Sequence, residues 1–258
     1  MQHYLQSYIK PVIEEFPEIG TVLQKYGIGC TDCNVGTCKL VDIIEIHNLS
    51  GETSEELIRA MGEVIYKGAP FEVPKIERKQ VADRGSLSPA VRKMVNEHTY
   101  IKMVIASIPG VISLLESDLD AGIPVVEKVV DFIKNYADGY HHAKEEDVLF
   151  GYFDAELDIL KVMYEDHDTG RGYVKNIVAG VAEKNLIQIA ENLSAYGALL
   201  TEHIQKEDDI LFPWMDRTLS DKQIGELYAR CITVDSSFGE KPKAYEQFAQ
   251  EAAAQFVK

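Results

Sequence analysis

Two ten-residue segments, HHAKEEDVLF at 141–150 and HIQKEDDILF at 203–212, constrain what this chain can fold into more than any other feature of it. They share the pattern His-x-x-Lys-Glu-acidic-Asp-apolar-Leu-Phe at an offset of 203 − 141 = 62 residues. On an α-helix, residues four apart lie on one face, separated by about 40° of rotation and about 6 Å of rise. His141 therefore pairs with Glu145, and His203 with Glu207, while Leu149, Phe150, Leu211 and Phe212 continue near the same faces. Each copy aims an imidazole and a carboxylate into an apolar interior, where an unpaired Glu would have to be neutralised or destabilise the fold. A bound cation removes the difficulty.

Each copy follows a helix with one earlier histidine, His98 in NEH and His167 in EDH, so the region reads as two related helical hairpins. The inventory becomes His98, His141, Glu145, His167, His203 and Glu207. Four imidazoles and two carboxylates from four helices match what two adjacent divalent ions need, namely terminal nitrogens and bridging oxygens. No cysteine lies near these positions, which disfavours thiolate-preferring metals and ranks iron before manganese and manganese before zinc. His142, about 100° round an α-helix from His141, reads as a supporting or surface residue with Glu146 as its partner. Tyr100, Tyr140 and Tyr164 are candidates to hydrogen-bond a metal-bound ligand, and Arg171 to form an ion pair or guard an open position.

The fold class expected is all-α. Ser88 and Pro89 open a helix to about Ser117 with a kink near Pro109, and Pro124 in a first helical position opens a second that continues past Phe150. A third spans about Leu157 to Ala182, and a fourth runs from Leu186 to about Met215, started by Asn185 and stopped near Pro213. Long helices joined by short connections specify an antiparallel four-helix bundle. A Ser220–Gln223 capping box and the segment KAYEQFAQEAAAQFVK add C-terminal helices expected on the outside, completing a domain over 88–258. Residues 68–87, mixing Pro, Gly and charge, read as a linker. Residues 1–67 read as a small helical unit, in which PEIGTVLQKYG and SEELIRAMGEVIYKG each end at a glycine suited to capping.

Between those two helices lie Cys30, Cys33 and Cys38, three thiols that fall short of a tetrahedral zinc or four-cysteine cluster and leave a redox pair, a metal-transfer site or plain reduced thiols open. Cys231 sits on an outer helix and reads as inert. The formal charge, 26 − 42 = −16, opposes binding to nucleic acid or anionic membranes. The first residues lack the pattern of an export signal, so a cytoplasmic location is expected.

The segments EH98, H141HAKEEDVLF, EDH167 and H203IQKEDDILFP resemble the hemerythrin cation-binding domain over about residues 88–240. The resemblance implies a hemerythrin-like bundle and the same six ligands. Oxygen-carrying hemerythrins place a further histidine where this chain has Arg171, and their last carboxylate falls at the spacing of Asp208. With Glu207 also present, the pattern is more similar to the iron-centre repair proteins, and FPEIGTVLQKYGIGCTDC resembles the cysteine-containing domain that precedes the di-iron domain there. That family has an adjacent cysteine pair where this chain has Cys-x-x-Cys. The resemblance implies two iron ions with carboxylate and oxo or hydroxo bridges, a diatomic ligand such as nitric oxide or oxygen, and iron–sulfur proteins as clients. Reversible oxygen binding and a di-iron oxidase or peroxidase are the alternatives, and a homodimer is compatible with all three.

Overall fold

The computed structural model describes residues 1–28, 39–47, 49–74 and 87–257, which form two compact units, Met1–Asp83 and Arg84–Lys258. No β-strand occurs among the described residues.

The first unit contains α1 (Gln2–Leu5), α2 (Ile9–Glu15), α3 (Glu18–Lys25), α4 (Leu40–Ile46) and α5 (Gly51–Tyr66). Its core joins Ile9, Val12, Ile19, Leu23, Ile28, Leu40, Ile43, Leu57, Ile58 and Met61. Ser50 caps α5 by accepting from Thr53 N, and the chain leaves α5 through two left-handed residues, Lys67 at φ 49° and Gly68 at φ 87°. Cys30, Cys33 and Cys38 lie outside the described residues.

The second unit is the bundle. In α6 (Pro89–Ser117), Val91, Met94, His98, Ile101, Val104, Ile108, Val111 and Leu115 recur at three- and four-residue steps and are all buried. This helix runs unbroken through Pro109. By length and apolar composition it passes as a membrane span, yet it buries Glu97, His98 and Ser107 as well. α7 (Leu119–Phe132) begins earlier than Pro124 implies, because the Asp118 side chain accepts from Ala121 N and fixes the N-cap there. Pro124 sits inside the helix, where it removes a single backbone donor.

From Phe132 the same arm continues as a π-helix over Ile133–His142, resumes it over Glu145–Leu149 and ends in a 3₁₀ turn, Phe150–Tyr152. α8 (Asp158–Glu183) and α9 (Leu186–Lys206) follow, α9 capped by the Asn185 side chain on Gln188 N. A second π-turn, Glu207–Leu211, leads into α10 (Phe212–Thr218). Pro213 does not stop this arm as expected; it sits in the opening turn of α10, directly after the π-turn.

Contacts run α6 to α7, α7 to α8, α8 to α9 and α9 to α6, closing a ring of four arms around one core. The Ser220 capping box opens α11 (Asp221–Phe238), and α12 (Lys241–Phe256) follows. These two are more than an outer layer. α12 lies so close to α6 that a Cβ on Gly110 would come within 2.4 Å of the Phe256 carbonyl oxygen. α11 brings Asp235 to Lys144, Lys93 and Tyr140.

Candidate metal centre

Four imidazoles converge from four arms. His98 comes from α6, His141 from the π-helical second arm, His167 from α8, and His203 from the end of α9, each no more than 2 % exposed. Their Nε2 atoms meet in pairs, His98 with His141 at 2.8 Å and His167 with His203 at 2.9 Å. Between the pairs stand Glu145 and Glu207, both fully buried. Glu145 Oε1 lies 2.8 Å from His141 Nε2 and 3.8 Å from His98 Nε2, while its Oε2 lies 3.5 Å from His167 Nε2. Glu207 reaches His98 and His203, each at 3.3 Å. Two sets of four potential donor atoms result, each mutually within 4.8 Å: His98, His141, Glu145 and Glu207, and His142, Glu145, His167 and His203. Glu145 belongs to both sets.

The other face of each ring is tied to an acid, and each acid to a cation. Within the first hairpin His141 Nδ1 pairs with Glu97 at 2.9 Å, and Glu97 accepts from Lys144. The second hairpin repeats this, with His203 on Asp166 at 3.2 Å and Asp166 accepting from Lys206 at 3.3 Å. Across the hairpins, His98 pairs with Asp208 and His167 with Glu146, both at 2.6 Å. Lys102 holds Asp208 at 2.5 Å, and Arg171 holds Glu146 at 2.8 Å. The repeated motif thereby divides its work by position. Its His and Glu face inward, its Lys grips the acid before the partner histidine, and its next acid crosses over. A carboxylate accepting from Nδ1–H fixes the tautomer and leaves the Nε2 lone pair pointing at the centre.

This lining calls for positive charge. All four carboxylate oxygens of Glu145 and Glu207 accept no hydrogen bond although fully buried, a costly state for an ion in a low-dielectric interior. Burial alone would depress His98, but Asp208, Glu145 and Glu207 hold its imidazole well above the ordinary range. His203 overcomes its own burial through Glu207 and Asp166 and rises to about 10. Glu145 resists burial through His141, His98 and His142 and stays well below the usual carboxylate range. The field that would hold protons on these nitrogens equally favours a metal ion among them, and the mixed imidazole and carboxylate donor set suits iron, manganese or zinc.

All six residues singled out from the sequence meet in this one cluster. Glu207, not Asp208, turns inward. Arg171 forms ion pairs with Asp138, Glu146 and Asp168. Glu146 belongs to His167; His142 instead pairs with Asp138. Of the three tyrosines, Tyr140 donates to Asp235, while Tyr100 packs on Tyr136 and Tyr164 on Phe150. Cys231 is buried on α11, its thiol pushed up by burial to about 11. Sequence reading missed Glu97, Asp166, Lys144, Lys206 and Lys102; the repetition of an acid before His98 and His167 was the available signal. A cavity of about 280 Å³ opens beside the cluster, lined by Asp138, His142, His167, Arg171, Tyr196 and Leu200 among others.

Fold and lining together define an all-helical cation-binding bundle. Residues 90–215, a little under half of the chain, match the model of the hemerythrin HHE cation binding domain. Among curated proteins it is similar to an uncharacterized protein of Mycobacterium bovis and to uncharacterized proteins of two Mycobacterium tuberculosis strains, each 21 % identical over 140 residues. The aligned part covers 51 % of this chain and 55 % of each relative, so the chain spans about half the length of the relatives it matches. No solved structure matches the chain.

Proposed function

We propose that the bundle holds two iron ions, one beside His98 and His141 and the other beside His167 and His203, with Glu145 and Glu207 between them. The observation that carries this reading is the pair of overlapping buried donor sets that share Glu145, whose oxygens accept no hydrogen bond. Six protein donors for two ions leave coordination positions open, and bound iron would supply redox chemistry toward nitric oxide or oxygen there. The chain's own part is to exclude water, to fix each imidazole through its acid, and to balance the charge through Lys144, Lys206, Lys102 and Arg171. In this reading the protein serves the response to nitrosative or oxidative stress in the cytoplasm, binding the diatomic ligand or delivering iron to damaged iron–sulfur proteins. Its acidic surface fits protein clients better than nucleic acid.

Anaerobically purified protein is expected to carry two irons per chain and to restore a cluster-damaged dehydratase faster than free ferrous iron does. Restoration no better than ferrous iron removes the repair role, and fewer than two metals per chain removes the paired site. Reversible oxygen binding is favoured by a different observation, the largely apolar cavity against His142 and His167, which would shelter a bound diatomic from water. Oxygen titration of the reduced protein decides: a stable, reversible spectrum supports oxygen binding, and immediate oxidation opposes it.

A further inference from the structure

The two hairpins agree at nearly every position that touches the cluster. Lys102 and Arg171 both stand four residues after a cluster histidine, so Arg171 is the counterpart of a lysine and holds the acid crossing over in the same way. The agreement fails in one place. Applying the 62-residue offset, His142 corresponds to Ile204 (142 + 62) and Asp138 to Leu200 (138 + 62). Two apolar residues one turn apart in the second copy are thus a histidine and an aspartate in the first. They bond to each other, at 3.3 Å from His142 Nδ1 to Asp138 Oδ1.

Resting on the two-metal reading above, we propose that His142 is a third imidazole ligand for the metal position of His167 and His203, which makes the two positions chemically unequal. His142 is 6 % exposed, and its ring stacks on His167 with centroids 3.8 Å apart and planes 16° apart. One of its ring nitrogens lies within 4.8 Å of donor atoms from Glu145, His167 and His203. It carries the backing that marks the other four histidines: Nδ1 faces an acid, and Arg171 holds that acid through Nε at 2.9 Å. With Nδ1 engaged, Nε2 is the free donor. Arg171 therefore serves two histidines, His142 through Asp138 and His167 through Glu146.

One position then offers three imidazoles and the other two, with Glu145 and Glu207 between them. A nitrogen-rich site favours metals late in the divalent series more than a carboxylate-rich one does. The position beside the cavity is expected to fill first with cobalt or zinc, and the His98–His141 position second.

Cobalt(II) titration of the metal-stripped full chain, followed by visible absorption, tests the proposal. Wild type is expected to bind two equivalents in two steps. His142→Phe, which keeps an aromatic ring on His167, and His142→Gly are each expected to weaken one step by about 100-fold. Millimolar imidazole should restore that step in His142→Gly, since the cavity has room for it, and not in His142→Phe. A titration of His142→Phe identical to wild type in affinity and spectrum would overturn the proposal. Wild type binding a single equivalent would instead bring down the two-metal reading on which it rests. Should both variants fail to fold, nuclear magnetic resonance of wild-type cobalt protein labelled with ¹⁵N-histidine still decides. Five metal-shifted exchangeable imidazole N–H signals support a fifth ligand, and four exclude it.

Discussion

The two hairpins build the same four-part device, a histidine, its acid, the cation behind the acid and an inward glutamate, but they bury it to different depths. In the first, Lys144 has no exposed surface, lies over the Tyr140 ring at 3.5 Å and bonds both Glu97 and Asp235. In the second, Lys206 and Asp166 keep 14 % and 16 % of their side-chain surfaces in solvent. The same residues at the same spacing thus carry different energetic weight. A buried ion left without its partner cannot recover solvation, whereas one at the rim can.

The largest expected contrast follows from that. Glu97→Ala leaves Lys144 with Asp235 alone, removes the acid behind His141, and should cost about 3 kcal/mol in urea or thermal denaturation, whereas Asp166→Ala, where solvent reaches the pair, should cost less. Equal losses would show that depth of burial does not distinguish the hairpins. A smaller effect is expected from metal removal, which strips both hairpins at once. At free metal about tenfold above its dissociation constant at each of the two positions, chelation should lower stability by about 2.8 kcal/mol in all, and a Glu145→Gln, Glu207→Gln double variant should be indifferent to the chelator. The smallest contrast concerns the crossing acids. Asp208→Asn and Glu146→Gln each leave one histidine without its anchor and should weaken metal binding about 10–100-fold. Similar losses from the two would confirm the pseudo-symmetry of the crossing pairs.

The pH dependence has a definite sign. Without metal, His203 is raised to about 10 by Glu207 and Asp166 against its burial, so its protonation stabilises the stripped fold fully below about 6.5, the unfolded value, and the benefit fades as pH rises through about 10. Metal must displace such protons, so affinity should fall as pH falls, by about tenfold per pH unit for each proton displaced. Calorimetry in buffers of different ionisation enthalpy counts the protons.

The six inward residues were legible in the sequence because the motif occurs twice, and repetition of His and Glu four apart on apolar faces has few causes other than a shared ligand. The arms were legible from apolar spacing, as in α6. What spacing could not convey is the π-helical winding of Ile133–His142 and of the turns at Glu145 and Glu207. A π-turn takes up an extra residue, so neighbours diverge by a smaller angle than on an α-helix. His142, set about 100° from His141 on α-helical reasoning, therefore reaches the same interior. The start of α7 was missed for a local reason, since Asp118 caps the chain before Pro124 can act as a first residue. The pairing of these four histidines with their acids was missed because it runs between different helical arms, over sequence separations of 21 to 110 residues that no local period encodes.

Asp235 belongs to α11, beyond the matched stretch of 90–215, yet it holds the lysine that steadies the acid behind His141. The electrical unit of the centre is consequently longer than the domain recognised by resemblance. A fragment cut after Met215 would retain every inward donor and lose part of the counter-charge that keeps one of them aimed.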